Sequence, residues 1–552
     1  MLTSSFNIWE MDIKPQKNKQ NNFLHGAVIL SVAGIITKVI GAAFKIPLTN
    51  IIGAEGHSFY GVAYPVYQFF YTISTAGFPV AIAKMVSERI AIGDFVNARK
   101  SFKLAMKTII VLCSFSFAIF FFCAGTIARI YKNPGAEASI RSLSFAFLFV
   151  AIVAPLRGFF QGMQNMNPTA FSNIVEQLVR ATVGLALAVA FYKTNLEFAA
   201  AGATFGASAG MAVAAIVLSL FYFRANGEFK RNEEKSFIVA ESEKERLREL
   251  LSIVIPITIG SAVLPIMMNV DAVIVMRRLQ ETGWSVKDAR SLYGLISGYC
   301  DPLANIPVVF IDAITISLLP AVSIAFSRND EEVLKKTIGT GLKSIMLVAY
   351  PCAIGLIVLA GPILHTLFMA NPEEAQQSIH TLQILSLGII VLAAMRTLSA
   401  CLQGVGRITI PVVNLTIGAV IKIIITYIMV GIPAVNVNGA AIGTVTAYGT
   451  AAVLNYYSLK KEIEFELGFV DTFIKPLLPA AVMGLSTICT YTLAIKTTSN
   501  NTVSTLISIV LAVIVYFVAA FFTRTVSEDD LIMIPMGIKV IKLAKKLHLL
   551  RK

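Results

Sequence analysis

The chain has 552 residues, of which 56% are hydrophobic and only 14% charged, with a formal net charge of +14. That balance is far from a soluble globular protein and reads as a polytopic membrane protein. It removes nucleic acid as the natural partner of the positive charge, which instead suits cytoplasmic loops beside an anionic leaflet. The six cysteines form no CxxC pair and the five histidines no metal-ligand spacing, so neither a disulfide framework nor a metal site is indicated.

Residues 1–23 are polar, carry Lys14, Lys17 and Lys19, and lack the apolar core of a secretory signal; they read as a cytoplasmic tail whose translation starts at Met1 or Met11. Fourteen apolar segments follow: 24–48, 58–83, 104–128, 140–160, 170–192, 199–223, 250–276, 291–325, 339–360, 379–402, 409–431, 438–458, 473–495 and 502–523. The stretch 361–369 extends the ninth. The expected fold is all-α, with fourteen transmembrane helices.

The first segment carries Lys38 and Lys45 two helical turns apart, on one stripe with Gly34 and Gly41. A charge at mid-membrane costs ~3 kcal/mol or more, so this stripe is expected to face a polar interior. For Lys45, beside Pro47, snorkelling to the interface is the open alternative. Loops 84–107 and 224–248 and the stretch 524–552 are rich in Lys and Arg, while 49–57, 370–378 and 432–437 have none. The positive-inside rule then places both termini in the cytoplasm. Loop 277–290, with Arg277, Arg278, Lys287 and Arg290, runs against the rule.

The chain repeats itself. Tyr60-Gly61 recurs as Tyr293-Gly294, Gln161-Gly162 as Gln403-Gly404, and Gly202…Gly206 as Gly439…Gly443. The near-constant offset predicts two six-helix halves in parallel orientation, 24–223 and 250–458, joined by a charged linker, 224–249. Two further helices occupy 459–523, and 524–552 reads as a basic amphipathic tail on the inner leaflet.

No catalytic signature and no nucleotide-binding loop is present, so the chain is read as a non-enzyme without cofactor. What stands out is charge inside apolar segments. Asn173, Glu176, Arg180 and Gly184 share one face of the fifth helix, with Glu176 and Arg180 at the i,i+4 spacing of an ion pair. Asn414, Gly418 and Lys422 trace the matching stripe on the eleventh, which makes Arg180 and Lys422 repeat-related. Arg157 and Arg396 lie near the ends of segments four and ten, Asp271 in seven, and Asp301 and Asp312 in eight. Intramembrane ionisable residues line pathways or pair with one another. Lys38, Arg180 and Lys422 together predict a cationic chamber between the halves, suited to a pyrophosphate.

Thr37-Lys38-Val39-Ile40-Gly41, Ile52-Gly53-Ala54-Glu55-Gly56 and Thr75-Ala76-Gly77-Phe78-Pro79-Val80-Ala81 resemble the N-terminus of lipid-linked oligosaccharide flippases, notably lipid II flippases of the MurJ type and stage V sporulation protein B, within the superfamily that includes MATE exporters. The resemblance implies a twelve-helix core with two extra helices, and alternating-access flipping of a polyprenyl-pyrophosphate-linked sugar, such as lipid II, across the bacterial cytoplasmic membrane. It gives Lys38 the headgroup-binding role of the family's first-helix Arg; the family's second Arg falls on Phe44, with Lys45 next. With the charges inside the apolar segments, the expected substrate-binding set is Lys38, Lys45, Arg157, Glu176, Arg180, Arg396 and Lys422. Asp271, Asp301 and Asp312 are the candidates for coupling to a monovalent cation. Partners are the lipid-linked oligosaccharide and membrane lipids. The competing readings are a MATE-like exporter of organic cations, a membrane enzyme acting on polyprenyl-linked sugars, and a non-transporting scaffold.

Overall fold

The structure is a computed structural model; it describes residues 19–234, 236, 241–463, 468–523 and 525–526. The N-terminal tail up to residue 18, the inner part of the linker and the basic amphipathic tail beyond 526 lie outside them. Among the described residues the chain is helical throughout, with no strand.

Helix α1, Lys19–Thr75, is two limbs joined at Gly53, whose φ of 63° and ψ of −172° interrupt the helix. That backbone region is essentially reserved for glycine. Gly77 ends the second limb, and α2, Phe78–Ala91, begins with Pro79 in its first turn, where a missing N–H costs nothing. Asp94 caps α3, Phe95–Phe122, by accepting from the Asn97 N–H at 3.0 Å. Then come α4, Ala124–Ile130, α5, Glu137–Gly162, and α6, Asn167–Tyr192, the last again with Pro in its first turn. Next are α7, Leu196–Glu233, capped by Asn195, and α8, Glu243–Glu281, interrupted by Pro256 and Pro265.

The predicted eighth segment is not one helix. It divides into α9, Val286–Gly294, a π-helical turn at Leu295–Cys300, α10, Asp301–Ala304, and α11, Ile306–Ser327. Pro302 and Pro307 withdraw two backbone donors there, and the ladder re-forms around each. The ninth segment also stops short: α12, Glu331–Val358, breaks at Leu359 before α13, Ala360–Leu367. Beyond these lie α14, Pro372–Gln377, α15, Ile379–Gly404, α16, Thr409–Val430, α17, Asn438–Ile463, α18, Lys475–Thr498, and α19, Asn501–Phe522.

Twelve helical spans among the described residues are long and apolar enough to cross a membrane. The predicted fourteen is not confirmed on that measure. One span, Val32–Ala91, takes in both limbs of α1 together with α2, and α17 falls outside the twelve.

The chain divides into two compact units: residues up to Ile52 with Phe59–Asn269, and Gly53–Ser58 with Val270 onward. In the first, α7 lies against both α5 and α6, and α5 against α2 and α3. In the second, α17 lies against α15 and α16, and α15 against α11 and α12. The repeated glycine motifs explain this repeated packing. A Cβ on Gly206 would sit 2.5 Å from the Arg180 carbonyl oxygen, and one on Gly210 2.5 Å from that of Glu176. A Cβ on Gly418 would sit 2.5 Å from the Ala447 carbonyl, and one on Gly439 2.6 Å from the Val430 nitrogen. Both helix pairs therefore touch backbone to backbone, as close membrane packing requires of small residues. Gly162 and Gly404 play matching parts, meeting Ala83 and Val86 of α2 and Leu319 and Val322 of α11.

The basic loop after α8 is neutralised locally. Arg277 and Arg278 bond Glu281 at 2.9 and 3.2 Å, Arg278 also stacks over the Tyr427 ring at 4.5 Å, and Arg290 pairs with Glu55 at 3.5 Å. The extra helices α18 and α19 pack on α12 and α13. Tyr516 donates to the Leu347 carbonyl at 2.5 Å, and Asn501 to the Pro362 carbonyl at 3.0 Å.

Candidate functional site

In the first unit the close α6–α7 contact sets the height and rotation of α6, and with them Glu176 and Arg180. The sequence spacing predicts a Glu176–Arg180 pair; each side chain instead takes a partner on another helix. Glu176 accepts from the Arg157 guanidinium at 2.8 Å, and both side chains are largely buried, at 15% and 13% exposure. Arg157 also donates to Ser172 at 3.3 Å. Arg180 turns to the second limb of α1. It donates to the Tyr60 hydroxyl at 2.7 Å and the Tyr64 hydroxyl at 3.4 Å, with its guanidinium 4.8 Å from the centre of the Tyr64 ring. No carboxylate lies within ion-pair distance of Arg180 among the described residues, and its Nε is buried without a hydrogen-bond partner.

Tyr60 and Tyr64 begin a ladder. Ring centres of Tyr60 and Tyr64 are 5.7 Å apart, those of Tyr64 and Tyr67 6.0 Å, and those of Tyr67 and Tyr71 5.6 Å. Such offset aromatic contacts hold the face rigid. Sequence reasoning passed over this ladder. Its 4-3-4 spacing on one helical face was visible, but the residues read as part of an apolar span.

On the first limb of α1 the glycine–lysine stripe divides. Gly41 packs on α6, where an added Cβ would be 3.1 Å from the Gln177 side-chain amide, whereas Gly34 meets no atom within 4 Å. Lys38, between them, is exposed and Lys45 is half-buried. Phe44, where the flippases carry an Arg, is part of the core at 2% exposure, its ring against Gly184.

The second unit pairs its cations with acids. Lys422 on α16, 8% exposed, forms an ion pair with Asp271 on α8, 21% exposed. Arg396 on α15 bonds Asp312 on α11 at 2.8 Å. Asp301 heads α10. Beside Lys422 a neutral network runs from Asn414 to Asn455 at 2.9 Å and on to Ser399 at 2.9 Å. The structure thus joins three of the expected binding cations, Arg157, Arg396 and Lys422, to acids, Glu176 being itself the acid of the first pair, and leaves Arg180 on neutral phenols. No group of three or more metal-ligating side chains occurs among the described residues.

A family model described as polysaccharide biosynthesis protein matches residues 23–326. The chain belongs to that family. A second model, described as MatE, matches residues 297–428. Among curated relatives, the lipid II flippase MurJ of Bacillus subtilis (strain 168) is 26% identical over 480 residues, covering 84% of this chain and 88% of the relative. The uncharacterized membrane protein YabM of the same organism is 29% identical over 450 residues, covering 80% and 81%. The stage V sporulation protein B of that organism is 24% identical over 452 residues, covering 81% and 85%. Among solved structures, lipid II flippase MurJ in an inward closed conformation has a TM-score of 0.62 at 16% identity, covering 90% of this chain and 99% of that one. An inward-facing multidrug resistance MATE transporter has a TM-score of 0.67 at 16% identity, covering 80% and 98%. The fold of this family member is that of the polytopic membrane transporters of the MOP superfamily.

Proposed function

We propose that this family member flips a polyprenyl-pyrophosphate-linked sugar, the peptidoglycan precursor lipid II, across the bacterial cytoplasmic membrane by alternating access, with both termini in the cytoplasm. One observation carries the reading: Arg180 is a membrane-depth cation held by two phenols and, among the described residues, by no acid. A buried guanidinium without a counter-ion is costly in low dielectric, and its cost falls when an anion arrives. A planar guanidinium suits a pyrophosphate, whose oxygens it meets in bidentate fashion. The likeness to a MurJ flippase supports the same substrate class. Lys38 and Lys45 on α1 supply further positive charge to the headgroup, and Lys422 is the substrate-binding candidate of the second unit; the polyprenyl tail stays in lipid.

An exporter of organic cations needs carboxylates free to take the cargo. Glu176, Asp271 and Asp312 are each already matched to a protein cation, so the uncompensated charge at depth is positive. Asp271, Asp301 and Asp312 remain our coupling candidates for a cation gradient.

The test is depletion of the protein in its own cell, with measurement of lipid-linked peptidoglycan precursor on the cytoplasmic side. Accumulation that wild type rescues, and that Arg180→Gln and Lys38→Ala do not despite normal expression, supports the reading. Unchanged precursor with altered resistance to cationic drugs overturns it in favour of export. Full rescue by both variants favours a scaffold.

A further inference from the structure

Arg180 and Lys422 occupy equivalent places in the two repeats, yet their partners differ in kind. Arg180 rests on neutral hydroxyls, and Lys422 on a carboxylate. The two members of the Lys422–Asp271 pair also sit on differently built helices. Lys422 sits on α16, locked to α17 by backbone-level contacts at Gly418 and Gly439. Asp271 sits on α8 six residues after Pro265, which cannot bond the Ser261 carbonyl, and in the first turn after the chain enters the second unit. Lys422 thus stands on a closely packed helix pair, and the carboxylate reaches it from the proline-containing helix α8.

We propose that Asp271 is a tethered competitor: it occupies Lys422 in the empty transporter and is displaced by the anionic phosphate of the substrate. This rests on the anion reading above and adds a role that charge pairing alone does not have. A transport site must hold its cargo tightly enough to capture it and loosely enough to release it. A carboxylate that covers the lysine nine-tenths of the time lowers apparent anion affinity about tenfold, by the fraction of competent sites. When the phosphate leaves, the tethered acid takes its place, so no bare buried charge is left behind. Arg180, with no carboxylate within ion-pair distance among the described residues, is without such a competitor.

The experiment measures binding of farnesyl pyrophosphate to the purified full-length protein in lipid nanodiscs. Asp271→Asn is expected to bind about tenfold more tightly than wild type. The neutral double variant Asp271→Asn/Lys422→Gln is expected to fall within about threefold of wild type, because competitor and lysine leave together. The proposal is overturned if Asp271→Asn binds no more tightly than wild type, or if the double variant binds more than threefold more weakly. Should Asp271→Asn fail to fold, the double variant, in which neither charge is left unpaired, decides by the same limit. Arg180→Gln separates the two readings. If it leaves farnesyl pyrophosphate binding unchanged, the anion reading falls and the competitor with it. If it abolishes binding while Asp271→Asn gives no tightening, only the competitor falls. Inorganic pyrophosphate run alongside distinguishes the source of the phosphate: tightening with both probes upholds a competitor reached from solution, and tightening with farnesyl pyrophosphate alone upholds one reached from the lipid.

Discussion

Arg180 rests on two phenols, Tyr60 and Tyr64. Tyr60→Phe removes the 2.7 Å hydrogen bond and keeps the ring, so it is expected to loosen the guanidinium while the helix contact survives. Arg180→Lys keeps the charge but loses the planar fork. Both variants should show flipping intermediate between wild type and Arg180→Gln in the precursor-accumulation assay, with expression unchanged. Equal, full activity of Arg180→Lys would mean that the fork is not used. The Arg157–Glu176 pair behaves differently, because both members are buried. Glu176→Gln leaves Arg157 as a bare buried cation and should destabilise the protein by about 3–5 kcal/mol, whereas Arg157→Gln/Glu176→Gln should recover most of that loss. Thermal unfolding of the three variants in detergent gives the coupling directly. The sequence showed these charges and the face of α6 they share. It did not show the pairing, because i,i+4 proximity along one helix competes with partners on α1 and α5 that only tertiary packing brings near.

Helices are held here by what they lack. Gly206→Leu puts a branched side chain where a Cβ already meets the Arg180 carbonyl at 2.5 Å, and overpacking of this kind costs about 1–3 kcal/mol. It should lower the unfolding temperature and weaken farnesyl pyrophosphate binding together, since α6 must move. Gly34→Leu is the control, because nothing lies within 4 Å of its Cβ position, and stability should stay within about 0.5 kcal/mol of wild type. The repeat markers were legible as sequence coincidences at one offset, and the close approaches at Gly206, Gly418 and Gly439 give them a cause. The interrupted elements were less legible. Pro302 and Pro307 announce a break, but hydropathy averages over it, so α9 to α11 read as one segment. Gly53 looked like an ordinary loop glycine, and only its backbone angles show the two limbs of α1 meeting there.

The linker, read from its composition as a charged connection between the halves, is fastened along part of its length within the first unit. Arg89, 7% exposed, bonds Glu241 and Glu249, each at 2.8 Å. Arg246 donates to Asn97 at 3.2 Å, Arg99 pairs with Glu233 at 3.2 Å, and the Ser236 hydroxyl donates to the Gly93 carbonyl at 2.9 Å. Arg89→Ala strips two acids of their shared cation. Trypsin should then cut at Lys244 and Arg248 about tenfold faster than in wild type, as expected when local opening becomes cheaper by roughly 1.4 kcal/mol. An unchanged cleavage rate would show that the other contacts suffice. At this scale charge composition was readable and its destination was not: a mixed run of Glu and Arg looks the same whether it is solvated or docked.

Gly53–Ser58 belongs with the second unit although it lies in the first fifty-odd residues of the chain. Its Ala54 N–H donates to Glu374 at 2.9 Å, and the same carboxylate accepts from the Tyr299 hydroxyl, whose phenol is pushed well up by burial and by that acid and so stays a donor at neutral pH. Glu55 meets Arg290, and the His57 ring lies against Gly298 and within 3.3 Å of Ser297. The two halves of this transporter are therefore interleaved in the gene. A polypeptide starting at Val270 would carry an open slot where Glu374 and Arg290 await partners encoded more than two hundred codons upstream. The second unit is therefore not a segment that recombination can lift out whole from Val270 onward.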